Sequence, residues 1–345
     1  MINAAVLEKF KKKLKIIKNI RIPKLLSKQV LIKIKNTAIC GSQIHEIRGH
    51  RNTKKFLPHV LGHEATGIVV DVGKNVHKFK KKDKVILSWI GNDIKESKKP
   101  TYFYPQKKKK INSGLISTFS NFTIVSQSKL IKLPKNLSFE QGTLLGCAFP
   151  TGSGIILNQT KIEKKTKILI YGLGGVGLSA LVTLLFKRSK NIYIYDKNEK
   201  KIKKIISYFK NKHKLKIIFF KKKSNNDYDS FFDYVIECTG IVSSIEKSLK
   251  LIKNKGKVIF ASHPAKDKKI KIFPHELIKG KKIEGSWGGN TNFLKNMKEF
   301  IKIFKRFDGV ERLFFTQSYS LFDINKAITD MINGKTLRPI IKFNK

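Results

Sequence analysis

A chain of 345 residues, 41% of them hydrophobic, is long enough for two domains with real cores. Its formal charge of +49 comes from 73 Lys and Arg against 24 Asp and Glu, but only seven of the basic residues are arginine, the side chain favoured for bidentate phosphate and guanine contacts. The lysines are spread along the whole chain as a solvated surface would carry them, so no specific nucleic-acid partner is expected.

The N-terminal stretch MINAAVLEKFKKK puts its charges after a short apolar segment, the reverse of a secretory signal, and no run approaches the length of a membrane span. The three cysteines are too widely separated for a disulfide framework, so the expected setting is the cytoplasm, without a membrane. Up to about residue 145 the chain reads as short strands broken by Gly, Pro and Asn: NAAVL, VLIKIK, ATGIVVDVG, DKVILSWI, FSNFTIVS and KLIKLP. These predict a β-rich first domain over 1–148. The run Lys107 to Lys110 reads as a solvated loop. Three residues of this domain stand out: Cys40 in AICGSQIHE, His63 in LPHVLGHEATG and Cys147 in LLGCAFPTGSG. Two thiolates and an imidazole suit zinc and leave a fourth position for water or substrate. With no CxxC spacing, two buried cysteines and a packed core histidine are the commoner reading of these residues at this point.

Beyond Pro150 the pattern changes to short apolar strands alternating with helical stretches, which predicts a parallel sheet covered on both faces over 149–287. The strands are KILIYG, NIYIYD, LKIIFF, DYVIECTG, KVIFAS and KKIEGSW, with helices at LSALVTLLFKRS and VSSIEKSLKLIKN. The first strand runs into Gly172-Leu173-Gly174-Gly175-Val176-Gly177 and then an apolar helix. In that context the glycines allow a tight turn, close approach of backbone amides to a pyrophosphate, and close helix–strand packing. Asp196 ends the next strand, where a carboxylate accepts the adenosine ribose hydroxyls and favours NAD over NADP. Lys197, Lys200 and Lys201 beside it leave NADP open. Residues 288–345 hold two amphipathic stretches and a closing strand RPIIKF.

The blocks ICGSQIHEIRG, PHVLGHEATGIVVDVGKNVHKFKKKDKV, GC at 146–147, GLGGVG, ECTG, GSWGG and LRPIIKF resemble the zinc-dependent alcohol dehydrogenases of the medium-chain dehydrogenase/reductase superfamily over nearly the full chain. The resemblance implies an α/β protein with a GroES-like catalytic domain and a doubly wound Rossmann domain, the tail returning to the first domain. It implies one catalytic zinc on Cys40, His63 and Cys147, with Glu64 as a nearby carboxylate. Ser42 would bond the reacting alcohol, and His45 would pass its proton to solvent. Gly41 and Arg338 would lie near the cofactor pyrophosphate and Lys201 near the adenosine ribose, with Thr239 of ECTG also at the cofactor. His59 carries no such role. The implied reaction is reversible oxidation of a small-molecule alcohol to an aldehyde or ketone, in a cleft between the domains. The implied assembly is a homodimer or homotetramer with Gly285–Gly289 near the subunit contact.

The chain departs from the family pattern in two places. Residues 90–110 lack the four cysteines of a structural zinc lobe, which argues against a second zinc and against the glutathione-dependent formaldehyde branch. Gln43 stands where the family usually has an aspartate that bonds the zinc-bound histidine. The runner-up readings are a polyol or sugar-derivative dehydrogenase linked to cell-surface polysaccharide synthesis, a zinc-free NADPH-dependent quinone or enone reductase, and a noncatalytic protein on the same scaffold.

Overall fold

A computed structural model of the chain describes residues 1–343 except 52, 93, 94, 96, 214–217 and 220–227. Two compact units emerge: Met1–Cys147 with Asn292–Met297 and Asp308–Lys345, and Ala148–Thr291 with Lys298–Phe307. The tail expected from residue 288 is thus shared, because the second half of the helix Phe293–Arg306 packs Phe300 and Phe304 on Phe149 of the second unit.

The first unit is built on two sheets. Its larger sheet centres on the strand Gln29–Ala38, which pairs antiparallel with Glu64–Val72 along one edge. Along the other edge lie Phe122–Ser126 at its start and Ile340–Lys342 at its end. This strand alternates between the two faces of its sheet: Val30, Ile32 and Ile34 pack with Ala65, Val69, Val85, Leu87 and Val125, while Lys33 and Lys35 at alternate positions stay partly exposed. The smaller sheet contains Lys15–Ile20, Ile2–Leu7, His59–Val60, Lys109–Ser113 and Thr101–Tyr104 in that order. Lys107 to Lys110 therefore form more than a loop: Lys108 turns at φ +48° and Lys109 and Lys110 open a hairpin strand, solvated as expected. Thr101–Tyr104 (TYFY) escapes sequence reading because its partner strand, KKINS, is mostly polar.

Among the described residues the second unit holds six parallel strands. Across the sheet the order is Ile218–Phe219, Asn191–Tyr195, Lys167–Tyr171, Phe232–Glu237, Ile252–Phe260 and Lys282–Gly285. In chain order this is 3-2-1-4-5-6, the doubly wound dinucleotide-binding arrangement, whose ligand sits beyond the carboxyl ends of the central strands. Of the predicted strand at 215–220, only Ile218 and Phe219 lie among the described residues. The helix read at 242–254 stops at Leu251, because Ile252 turns extended and pairs with Phe232. Among the described residues no helix is long and apolar enough to cross a membrane.

Candidate metal centre and cofactor loop

Three chain segments of the first unit deliver the metal-type donors. Cys40 lies two residues past the end of the central strand and is the N-cap of the helix Gly41–Ile47. His63 immediately precedes the strand Glu64–Val72. Cys147 follows the helix Phe139–Leu144, whose start is set by a capping box between Ser138 and Gln141. Gly146 is required there, since a Cβ would sit 2.6 Å from the Glu64 Cβ and 2.7 Å from the Leu87 carbonyl. The donor atoms of Cys40, His63, Glu64 and Cys147 all lie within 4.8 Å of one another. His63 Nε2 stands 3.2 Å from Cys147 Sγ, and the two sulfurs are 4.0 Å apart. Tetrahedral zinc with two thiolates and an imidazole has ligand–ligand separations of about 3.5–3.8 Å, so these residues fit that ion with little movement.

The donor side chains perturb one another strongly. The Cys147 thiol, donating to Cys40, holds Cys40 well below the usual thiol range despite its burial, while Cys147 itself is pushed well above it by Cys40 and by burial. Burial pushes Glu64 up to about 7 against the pull of Arg338, whose guanidinium bonds Glu64 Oε1. Burial disfavours the charge on Arg338, yet Glu64, Cys40 and Cys147 overcome this and raise its pKa. The other carboxylate oxygen, Glu64 Oε2, is buried with no hydrogen-bond partner.

Gln43 shows how the departure from aspartate is accommodated. Its Oε1 accepts the Cys40 backbone N–H at 2.8 Å, and its Nε2 lies 2.7 Å from His63 Nδ1. A histidine that binds metal through Nε2 carries its proton on Nδ1 and needs an acceptor there. Gln43 brings a donor to that position, so the ring is aimed but not supported as a ligand. Ser42 Oγ is buried with no hydrogen-bond partner, and His45 lies one turn further along the same helix face. Gly41 opens that helix with open space where a Cβ would stand. His59 is buried and pairs with Glu46 of the same helix at 3.2 Å, a structural role.

The family resemblance puts Arg338 near the cofactor pyrophosphate. In the structure it is 2% exposed and faces the metal cluster through Glu64. Its pairing with a residue 274 positions away left no signal in either local sequence.

In the second unit, Gly172 takes φ +99°, and a Cβ there would meet the Thr239 methyl at 2.9 Å. A Cβ on Gly177 would lie 1.9 Å from the Gly172 carbonyl oxygen, so only glycine lets the helix Gly175–Phe186 start against the strand. Gly174 has nothing within 4 Å of its virtual Cβ, which leaves the backbone approachable, and Val176 follows in the helix's first turn. Asp196 Oδ2 accepts the Leu173 N–H of this loop at 2.8 Å and the Lys201 ammonium, while Oδ1 accepts the Asn198 N–H at 2.9 Å. The predicted cofactor residues Gly172, Gly174, Gly175, Val176, Gly177, Asp196, Lys201 and Thr239 thus converge on one end of the sheet. Beneath them Glu237 is fully buried, accepting both the N–H and the hydroxyl of Thr239, and burial raises its pKa.

Residues 27–135 match the family described as alcohol dehydrogenase GroES-like domain, and residues 175–306 match zinc-binding dehydrogenase. The chain is 28% identical to the class-3 alcohol dehydrogenase of Drosophila melanogaster, over 99% of this chain and 97% of that protein. Its fold is shared with benzyl alcohol dehydrogenase from Acinetobacter calcoaceticus, at TM-score 0.84 and 21% identity over 99% of both chains. It is also shared with acetophenone reductase from Geotrichum candidum, solved in complex with NAD, at TM-score 0.79 and 20% identity over 99% and 97% of the two chains.

Proposed function

Since this chain belongs to the zinc-dependent alcohol dehydrogenases of the medium-chain dehydrogenase/reductase superfamily, an oxidoreductase family that interconverts alcohols and carbonyls, we propose the following division of labour among its residues. Cys40, His63 and Cys147 hold one zinc ion, and the observation that carries this is the convergence of their donor atoms, with Glu64, within 4.8 Å of one another. Bound zinc supplies Lewis acidity to the reacting oxygen, and bound dinucleotide supplies the hydride acceptor. Ser42 accepts the hydroxyl proton of the alcohol, and His45 takes it from there. Glu64, held by Arg338, offsets the local positive charge and keeps the two cysteines in place. Finding about one zinc per purified chain, together with NADH formation from a panel of primary alcohols, tests this reading. A folded protein without zinc that oxidises none of them sinks it.

NAD is the preferred cofactor, because Asp196 places a carboxylate where a 2′-phosphate would have to sit. Lys201 is already neutralised by that carboxylate. In Asp196→Ala the freed Lys201 can pair with a 2′-phosphate, so the NAD/NADP ratio of kcat/KM is expected to fall by about 10-fold or more, the worth of one charge-assisted hydrogen bond. An unchanged ratio removes Asp196 from cofactor discrimination.

The working form is a homodimer or larger assembly, and the cytoplasm is its location, to be checked by cell fractionation. The support for assembly is exposed apolar surface on the segments flanking the edge strand Lys282–Gly285 in sequence: Phe273, Leu277, Ile278 and Trp287 are exposed, Ile278 by 79%. Light scattering on Ile278→Glu is expected to give a monomer where the unmodified protein gives a multiple of it. Equal masses would place the contact elsewhere.

A further inference from the structure

The catalytic helix ends in a turn that recruits a second histidine. Gly49 N–H donates to the Glu46 carbonyl and His50 N–H to the His45 carbonyl, both at 2.9 Å, with Gly49 at φ +82°. This is a Schellman closure, which folds the chain back so that the residue after the glycine lies over the residue five positions earlier. Those two positions usually carry an apolar contact; here both are histidine. Their Nδ1 atoms are 3.2 Å apart, with ring centroids at 5.5 Å and planes tilted by 51°. Two imidazoles meeting through Nδ1 hold one proton between them, one ring donating and the other accepting. Each ring then has only Nε2 left, and on His45 no group among the described residues bonds it.

We propose that His45 and His50 form a two-imidazole relay that carries the alcohol proton from the catalytic helix to bulk water. The relay rests on the dehydrogenase reading above. Oxidation sends the hydride with its electron pair to the cofactor and leaves one proton from the hydroxyl. His45 takes that proton on Nε2; the proton on its Nδ1 moves to Nδ1 of His50, and His50 releases its Nε2 proton to water. One proton enters and one leaves, and no electrons move along the relay. His50 is exposed and His45 half-buried, so the rings can flip between turnovers and restore the starting tautomers. Burial, then the charges of His50, Arg48 and Arg51, lower the pKa of His45 against a small opposing pull from Cys40. His45 is therefore neutral, and able to accept a proton, at neutral pH.

The test is His50→Gln, which keeps a hydrogen-bonding side chain over His45 but cannot pass a proton on. With alcohol and NAD near neutral pH, kcat is expected to fall roughly 10-fold, less than the 10²–10⁴-fold of a group in direct proton transfer. KM and zinc content should hold, and added imidazole should restore the rate. Independently of turnover, the NMR titration of His45 in His50→Gln should move to higher pH, because a like charge beside it is gone. An unchanged kcat and pH profile, a loss that imidazole does not restore, or an unmoved His45 titration overturns the relay while the dehydrogenase reading stands. An unmodified protein that oxidises no alcohol overturns both.

Discussion

Replacing His63 by alanine is expected to give a folded protein that holds little zinc and oxidises alcohols at least about 10³-fold more slowly, corresponding to the several kcal/mol of transition-state stabilisation a Lewis acid supplies. Cys147→Ser should behave alike, because either change opens a gap in a donor set whose atoms lie within 4.8 Å. Metal content and NADH formation on the same preparations read this directly. A zinc-free His63→Ala protein with full activity would end the metal-dependent mechanism. The same assay should move the other way for Gln43→Glu. A carboxylate of the same length presents an oxygen to both the Cys40 N–H and the His63 Nδ1–H, where the amide presents its nitrogen to the ring. Outer partners of this kind are worth about 10–100-fold in metal affinity, so Gln43→Glu should hold zinc against a chelator about 10-fold more tightly. An equal or weaker hold would mean that the amide already turns its oxygen to the ring.

Arg338→Met should destabilise the first unit by about 3–5 kcal/mol, since it leaves Glu64 as a buried charge without its counter-ion. The loss should depend on pH. A carboxyl whose pKa is higher in the folded than in the unfolded state binds protons better when folded, so its contribution to stability falls as pH rises. For Glu64 that window runs from the ordinary 4.5 to about 7 with Arg338 present. Without the guanidinium pulling it down, the window extends further up, so the deficit should be larger above neutrality than in mild acid. Urea unfolding followed by Trp89, which lies 6.5 Å from His63 ring to ring, reports on the correct unit. If Arg338 served the cofactor pyrophosphate alone, the substitution would instead raise the KM for NAD and leave the unfolding midpoint in place.

Gly172, Gly174, Gly177 and Asp196 were legible in the sequence because their work is local. A positive φ, a missing Cβ and a carboxylate one strand along are conditions that a short segment meets by itself. The alternation of apolar strand and amphipathic helix likewise announced a parallel sheet, since each element's period follows from its own backbone. His50 is local in the same way: HEIRGH, with glycine between histidines at the two Schellman positions, closes a helix by itself, although that pair is usually apolar.

Other features have no local cause. TYFY and KKINS become a hairpin through each other, and neither segment carries an apolar alternation that points to a core. Cys40, His63 and Cys147 come within reach of a single ion only because a strand end, a strand start and a helix end close loops of 84 and 107 residues onto one point. Family resemblance nominated them; residue type and spacing left them undecided. Arg338 went to Glu64 because a fully buried carboxylate lacks water and takes the nearest cation the packing offers. Backbone sterics and periodicity thus determined the two domain types and the cofactor loop from sequence alone. Long-range packing, which decides which distant side chains lose their water together, gathered the candidate metal ligands and chose the partner of Arg338.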